Sequence, residues 1–428
     1  ARPVRANSVQ SSVNGRGQDM FETAMTGKRT GSSLVVALLG LTLMIWSVPS
    51  ASPAATSSAS ETNCAGALIS TADGCLSHDA VGGALDQIIR GVRSESHLKA
   101  VIARVDVAGQ PILRRAYGQS QNGVPATPLM NFRIGSMTIP VLTTVFYQLR
   151  DEGRLKLSDP VSKWLPNIPR SSQVSLRMLM NNTSGYLDWV QGNVPFQDAI
   201  DANPFRIWTE RELLDTALGR GFACDPGSCM NYAHTNYLLL ARVLRRIAPD
   251  TTVVRQLRRR VLEPVGIRMA FSRLAPIPAP VLGAYTLERG FFEQSTGWSP
   301  SWGLGNGMLA TTSIDNVAKE AVGVLSGRTL SPASRRDMVK QYSPGIGPDP
   351  SRVYFAQGLI MVNGWRRQNP FFNGYMGNVA WFPHRRIAVS LVGTTGIKTT
   401  ETGNVTEEIL SEIGAYLTPG NPPTLPAP

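Results

Sequence analysis

Apolar residues recur three and four positions apart at Val141, Leu142, Val145, Phe146 and Leu149, the spacing of one buried helical face. The pattern predicts a helix that begins near Ser136 and is stopped by Gly153. Pro140 is tolerated so close to the start because first-turn N–H groups have no partner within a helix. Ser136 therefore falls at or near the N-cap, where serine is common. A second stripe, Val243, Leu244, Ile247, Val254, Leu257, Val261 and Leu262, is interleaved with Arg242, Arg245, Arg246, Arg255, Arg258, Arg259 and Arg260. It predicts two amphipathic helices with solvated basic faces. Residues 356–359 and 379–392 read as strands, with a turn over 383–386 in which His384 is a solvated loop residue. A glycine-rich run over 303–307 precedes a further helix over 314–325.

The two ends of the chain follow other patterns. Lys28 and Arg29 precede an apolar run over 34–46 and a small-residue stretch over 48–55, the order of a secretory signal; the run is short for a membrane span. The expected organisation is an upstream extension and basic segment over 1–31, with Met20 or Met25 as the expected start. A signal peptide or N-terminal anchor follows over 32–55, then a disulfide-containing linker over 56–80 and one domain over 81–417. A disordered proline-rich tail over 418–428 completes the chain. Export places the protein outside the cytoplasm, secreted or at the cell envelope. There the even count of four cysteines favours disulfides. Three connectivities exist, and proximity favours Cys64 with Cys75 and Cys224 with Cys229. The spacings and the four histidines argue against a zinc site, and no metal or cofactor is expected.

The net charge of +12 would suit anionic cell-wall polymers or lipid headgroups. Export and the lack of any matching motif argue against nucleic acid. No internal repeat is present.

The candidate chemistry begins at Ser136, which follows Phe132-Arg133-Ile134-Gly135 and heads the apolar helix. Downstream come Leu155-Lys156-Leu157-Ser158-Asp159-Pro160-Val161 and Leu176-Arg177-Met178-Leu179-Met180-Asn181-Asn182-Thr183-Ser184-Gly185. Then follow Pro226-Gly227, Tyr232-Ala233-His234-Thr235-Asn236-Tyr237 and Glu263-Pro264-Val265-Gly266-Ile267. In this order and at these separations the chain resembles the serine β-lactamases and penicillin-binding DD-peptidases, in particular their class C and esterase-like branch. The resemblance implies an α/β fold of α+β type: an antiparallel β-sheet flanked by helices, with a sheet lobe over about 81–135 and 268–417 and a mostly helical lobe over about 136–267.

The same resemblance implies a Ser136 acyl-enzyme acting on an ester or amide: a peptidoglycan stem peptide, a β-lactam or a small ester. Tyr232 fills the position of the tyrosine that exchanges protons with the nucleophile. His234 stands where the family has asparagine, as a hydrogen-bonding residue or a replacement base. Two departures matter. The lysine expected one turn after Ser136 is Ile139, and the third motif, a cation-bearing strand segment, is best matched by Phe371-Phe372-Asn373-Gly374-Tyr375-Met376-Gly377. Losing that cation shifts preference from carboxylate-bearing substrates toward esters or uncharged amides. Gly374, Tyr375 and Trp302 are expected at the substrate pocket, and the loop tryptophans Trp189, after Asp188, and Trp298 either line it or serve as packing residues, the commoner role for tryptophan. The alternative from a second class is a catalytically inactive member that holds a cell-wall or lipid ligand in the old pocket.

Overall fold

The computed structural model describes residues 64, 66–305, 309–399 and 403–426. The upstream extension, the signal or anchor segment and residues 56–63 of the expected linker lie outside the described residues. Among the described residues, nine strands build one antiparallel sheet: β1 (Ala100–Val107), β2 (Gln110–Gln121), β3 (Val124–Pro125), β4 (Val353–Phe355), β5 (Ile360–Val362), β6 (Trp365–Gln368), β7 (Phe371–Phe372), β8 (Tyr375–Phe382) and β9 (Ile387–Thr394). Their order is β4-β5-β6-β8-β9-β1-β2-β3, with β7 paired to the start of β8. Five helices matter below: α1 (His78–Glu95), α2 (Ile139–Asp151), α3 (His234–Ile247), α4 (Ile314–Glu320) and α5 (Thr406–Leu417).

Every residue of β8 and β9 is buried, because both faces of the central sheet are covered. Val101, Ala103, Val105, Ala380, Val389 and Leu391 point to one face and pack with Leu85 and Ile89 of α1 and Ile409 and Ile413 of α5. Ile102, Val379, Trp381, Ala388 and Val392 point to the other and join the larger core built on α2, α3 and α4. The two-residue alternation of a strand thus divides one sheet between two cores. Ser77 begins α1 by accepting the Ala80 N–H. None of the described helices is long and apolar enough to cross a membrane.

Several expectations are corrected. Residues 356–359 are not a strand but the turn between β4 and β5, closed by the Ala356 N–H on the Leu359 carbonyl (2.7 Å). The linker is part of the fold from residue 66 on: Ile69–Thr71 and Gly74–Leu76 form a hairpin, Ile69 joins the core, and the Ala72 N–H reaches the Tyr416 carbonyl (2.8 Å). Both expected disulfides are present, Cys64–Cys75 at this hairpin and Cys224–Cys229 in the helical half. The basic stripe covers α3 and the segment 253–262 as expected, but much of it is paired. Arg242 and Arg245 face Glu210, and Arg260 faces Glu152, while Arg246, Arg255 and Arg259 are exposed.

The proline-rich tail is not disordered through residue 426. Prolines preset the chain's backbone angle and leave its carbonyls free to accept, and donors on β6 and the turn before it use them. Trp365 Nε1 donates to the Asn421 carbonyl (2.8 Å), Asn363 Nδ2 to Pro422 (2.7 Å) and Arg367 Nη1 to Pro423 (2.7 Å). Arg367 is fully buried on β6, and Asn378 and Glu407 take its remaining Nη2 bonds. Removing residues 421–428 orphans two donors of fully buried side chains, on Trp365 and Arg367, each worth about 1–3 kcal/mol when left buried and unpaired, and frees the half-buried Asn363 amide. The truncated protein is therefore expected to melt several degrees lower in calorimetry, whereas an unchanged melting temperature would mean that water satisfies these donors equally well.

Candidate active site

Ser136 sits at the junction of a short strand and α2. Phe132 and Arg133 pair with Thr312 and Thr311, and Arg133, buried, ties this strand to the carbonyls of Ala275 (2.8 Å) and Thr296 (2.9 Å). A 3-10 turn over Gly135–Thr138 then leads into α2 at Ile139, so Ser136 lies one turn before the helix rather than at its N-cap, which is Thr138. Gly135 has φ +46°, and a methyl there would meet Phe372 at 2.7 Å and Pro370 at 2.8 Å. Only glycine allows the turn and the close approach together. Ser136 keeps partial exposure in an otherwise buried segment.

The Tyr232 phenol lies close enough to Ser136 for the serine hydroxyl to influence its ionisation. Burial, reinforced by the negative charge of Asp188, holds its phenol far above the ordinary value, and the neighbouring Ser136 hydroxyl offsets only part of this. The chain around Tyr232 is stitched to the loop that follows Met180. Asn231 N–H donates to the Asn182 carbonyl (2.8 Å), Asn231 Nδ2 to the Tyr186 carbonyl (3.0 Å), and the Ala223 and Gly227 N–H groups to Gly185 and Thr183. The Cys224–Cys229 disulfide closes the intervening loop. Asn182 also bridges Tyr237 (2.8 Å) and Asn236 (2.9 Å) of α3, and Ser184 donates to Asn236 (2.6 Å). These groups are fully buried or nearly so, which makes a satisfied polar network that fixes register.

His234 is the first residue of α3, and its N-cap residue, Ala233, has no side-chain oxygen to offer. Asp188 supplies the cap from another loop. Its Oδ2 accepts both the His234 backbone N–H and Nδ1 of the ring (2.8 Å), while Oδ1 accepts the N–H groups of Val190 (2.7 Å) and Gln191 (3.0 Å). Burial pushes this carboxyl up. The charge and ring bond of His234 and the two loop N–H groups outweigh that, so Asp188 is held below the usual carboxylate range. The imidazole lies edge-on to Tyr232, with ring centroids 5.3 Å apart, and 5.7 Å from the Trp189 ring.

Ser136, Tyr232 and His234 are therefore brought together. Ile139 is fully buried, and a methyl on Gly358 would lie 3.1 Å from its Cγ2, so the lysine position is a packed apolar one against the 356–359 turn. Of the third-motif segment, Phe372 lies against Gly135, whereas Phe371 packs on the opposite face with the α1–α5 core. Trp302 stands edge-on to Phe372 at 6.2 Å, accepts Trp189 Nε1 on its carbonyl (2.7 Å) and keeps its own indole N–H buried without a protein partner. Gly374 and Tyr375 are corrected from pocket residues to packing ones. A methyl on Gly374 would meet the Tyr285 carbonyl at 1.9 Å, and Tyr375, 1 % exposed, donates its hydroxyl to the Leu282 carbonyl (2.6 Å). Trp298 is fully buried.

Among the described residues no group of His, Cys, Asp and Glu could hold a metal ion. A cavity of about 390 Å³ opens at the sheet edge by Arg352, Tyr354, His384 and Asn421, away from Ser136. The residue that sequence patterns missed is Asp188, whose partner is 46 positions away.

The family model described as Beta-lactamase matches residues 85–406. Among curated relatives, PbpX of Bacillus subtilis (strain 168) is 26 % identical over 174 residues, 40 % of this chain and 41 % of that protein. Protein flp of Staphylococcus aureus (strain N315) is 24 % identical over 174 residues, 39 % of this chain and 34 % of that protein. The matched stretch is thus less than half the length of these relatives. Among solved structures, a D-stereospecific amidohydrolase from Streptomyces sp. superposes with TM-score 0.66 at 20 % identity, covering 77 % of this chain and 97 % of that one. A penicillin-binding protein from Bacillus halodurans gives 0.64 at 17 %, covering 76 % and 99 %. These likenesses establish the fold, and with the family model matching most of its length the chain belongs to the Beta-lactamase family of serine hydrolases and penicillin-binding proteins.

Proposed function

We propose that the protein hydrolyses ester or uncharged amide bonds through a Ser136 acyl-enzyme, with Tyr232 and His234 carrying the protons. The observation that supports this most directly is Tyr232 set between Ser136 and an imidazole already paired through Nδ1. A serine hydroxyl is a weak nucleophile until a neighbouring group takes its proton. Tyr232 does not wait as a phenolate that could take that proton outright, because burial and the Asp188 charge hold it as the neutral phenol and Ile139 offers no compensating cation. It relays instead, and the His234 imidazole, whose ring can both accept and donate a proton, is the acceptor. Ser136 Oγ then bonds the substrate carbonyl carbon, the leaving group departs with the proton, and water repeats the sequence to release the acid.

Substrate preference follows from the walls. Phe372 occupies the ground against Gly135 where the family's carboxylate-holding cation was expected, and Trp302 adds a second apolar face with one free donor. Such walls favour neutral acyl groups over a peptide C-terminus. An amide substrate is in keeping with two solved neighbours, a D-stereospecific amidohydrolase from Streptomyces sp. and a D-amino acid amidase from Ochrobactrum anthropi SV3. The two disulfides support action outside the cytoplasm, where the exposed arginines of the basic stripe would favour a cell-wall or membrane surface. The buried Ile139 is the observation that favours a second reading, a ligand-binding protein without turnover.

Steady-state assays with short p-nitrophenyl esters, a neutral amino-acid amide and a carboxylate-bearing β-lactam separate the two. Turnover is expected for the neutral substrates, with the β-lactam poorest. Ser136→Ala is expected to abolish turnover and Tyr232→Phe to lower kcat by about 100-fold or more. Hydrolysis that survives Ser136→Ala, or saturable binding with no hydrolysis of any substrate, would overturn the hydrolase reading.

A further inference from the structure

We infer that Asp188 is a positioning residue that fixes the His234 ring with its proton on Nδ1 and its lone pair on Nε2, so that an aspartate–histidine pair does the work of the lysine that Ile139 replaced. The inference rests on the hydrolase reading for its catalytic consequence, but the tautomer it assigns stands on the geometry alone.

Four N–H groups converge on the two oxygens of Asp188: two from the 190–191 loop on Oδ1, and the backbone and ring of His234 on Oδ2. An ionised carboxylate only accepts, so every one of these contacts requires a donor, and Nδ1 must carry its hydrogen. In the neutral imidazole that leaves Nε2 as the acceptor. The carboxylate is 2 % exposed, so water does not compete for it. The same group ends the orphaned first turn of α3, which Ala233 cannot cap, and thereby sets the ring's height relative to Tyr232. Arg220 secures the loop from outside by donating to the carbonyls of Asp188 (2.6 Å) and Gln191 (3.1 Å).

In the chemical step the Ser136 O–H bond breaks as the Oγ–carbon bond forms. The proton passes by way of the Tyr232 hydroxyl to Nε2, giving an imidazolium whose charge Asp188 balances. The imidazolium returns that proton to the leaving group as the bond to the carbonyl carbon breaks. A packed isoleucine beside the serine is then compatible with turnover, because the charge that lysine would have supplied appears on the ring.

The substitution Asp188→Asn tests this, because an amide keeps one oxygen for four donors. Turning its NH2 toward His234 offends one fixed backbone N–H, against two on the loop side. The ring can accommodate it only by moving its proton to Nε2. Imidazole nitrogen shifts of 15N-histidine-labelled protein read the tautomer directly, with His234→Gln identifying the signal among the four histidines. The expected result is an Nδ1–H ring in the native protein, an Nε2–H ring in Asp188→Asn, and a kcat about 100-fold lower or more with KM within about threefold. A purely structural cap would lower the melting temperature and leave both the tautomer and kcat in place, which would overturn the inference. So would a kcat loss without the tautomer change, or the change without the loss. The native tautomer needs no variant: a proton on Nε2 overturns the inference even if Asp188→Asn fails to fold. Absence of hydrolysis by the native protein would remove the hydrolase reading, while the tautomer would still decide whether the pair exists.

Discussion

The site depends on one buried carboxylate. Asp188 is out of water and would be costly there unpaired, yet it accepts four N–H groups from two separate segments. Those bonds tie the 188–191 loop to the start of α3, which holds the His234 ring edge-on to Tyr232. Nothing local in α3 could do this, because the residue preceding its first turn is alanine.

The scaffold around that carboxylate is rigid for ordinary reasons. The sheet is buried on both faces, and the strand bearing Phe372 pairs directly with β8, whose residues are all buried. Phe372 and Pro370 in turn press on Gly135, whose positive φ turns the chain into α2. The asparagines Asn182 and Asn236 hold the chain around Tyr232 with bonds that have little water to exchange with. The Ser136 hydroxyl is thus placed between an apolar wall and a polar network.

Much of this was legible in the sequence. The helical periodicity of Val141, Leu142, Val145, Phe146 and Leu149 located α2, and the ordered motifs placed Ser136, Tyr232 and His234, which the fold does bring together. Two kinds of signal were misleading. Prolines near the C-terminus read as disorder because composition reports local stiffness and polarity, whereas the tail is held by donors on β6 and its flanking turn that no local pattern reveals. Gly374 and Tyr375 read as pocket residues because a motif fixes position along a strand without fixing which face a side chain takes. A shift of one residue sends Phe371 to one core and Phe372 to the other. Asp188 was invisible as a partner of His234 because an aspartate in a glycine-rich loop is usually a turn residue, and its role comes from a contact across 46 positions.

The central claim is that Ser136 is a live nucleophile despite Ile139. Intact-mass and peptide-mapping mass spectrometry after exposure to a fluorophosphonate tests it most directly. The account predicts one covalent adduct per chain, on Ser136, absent from Ser136→Ala. A native protein that stays unmodified, or an adduct that persists in Ser136→Ala, would contradict it.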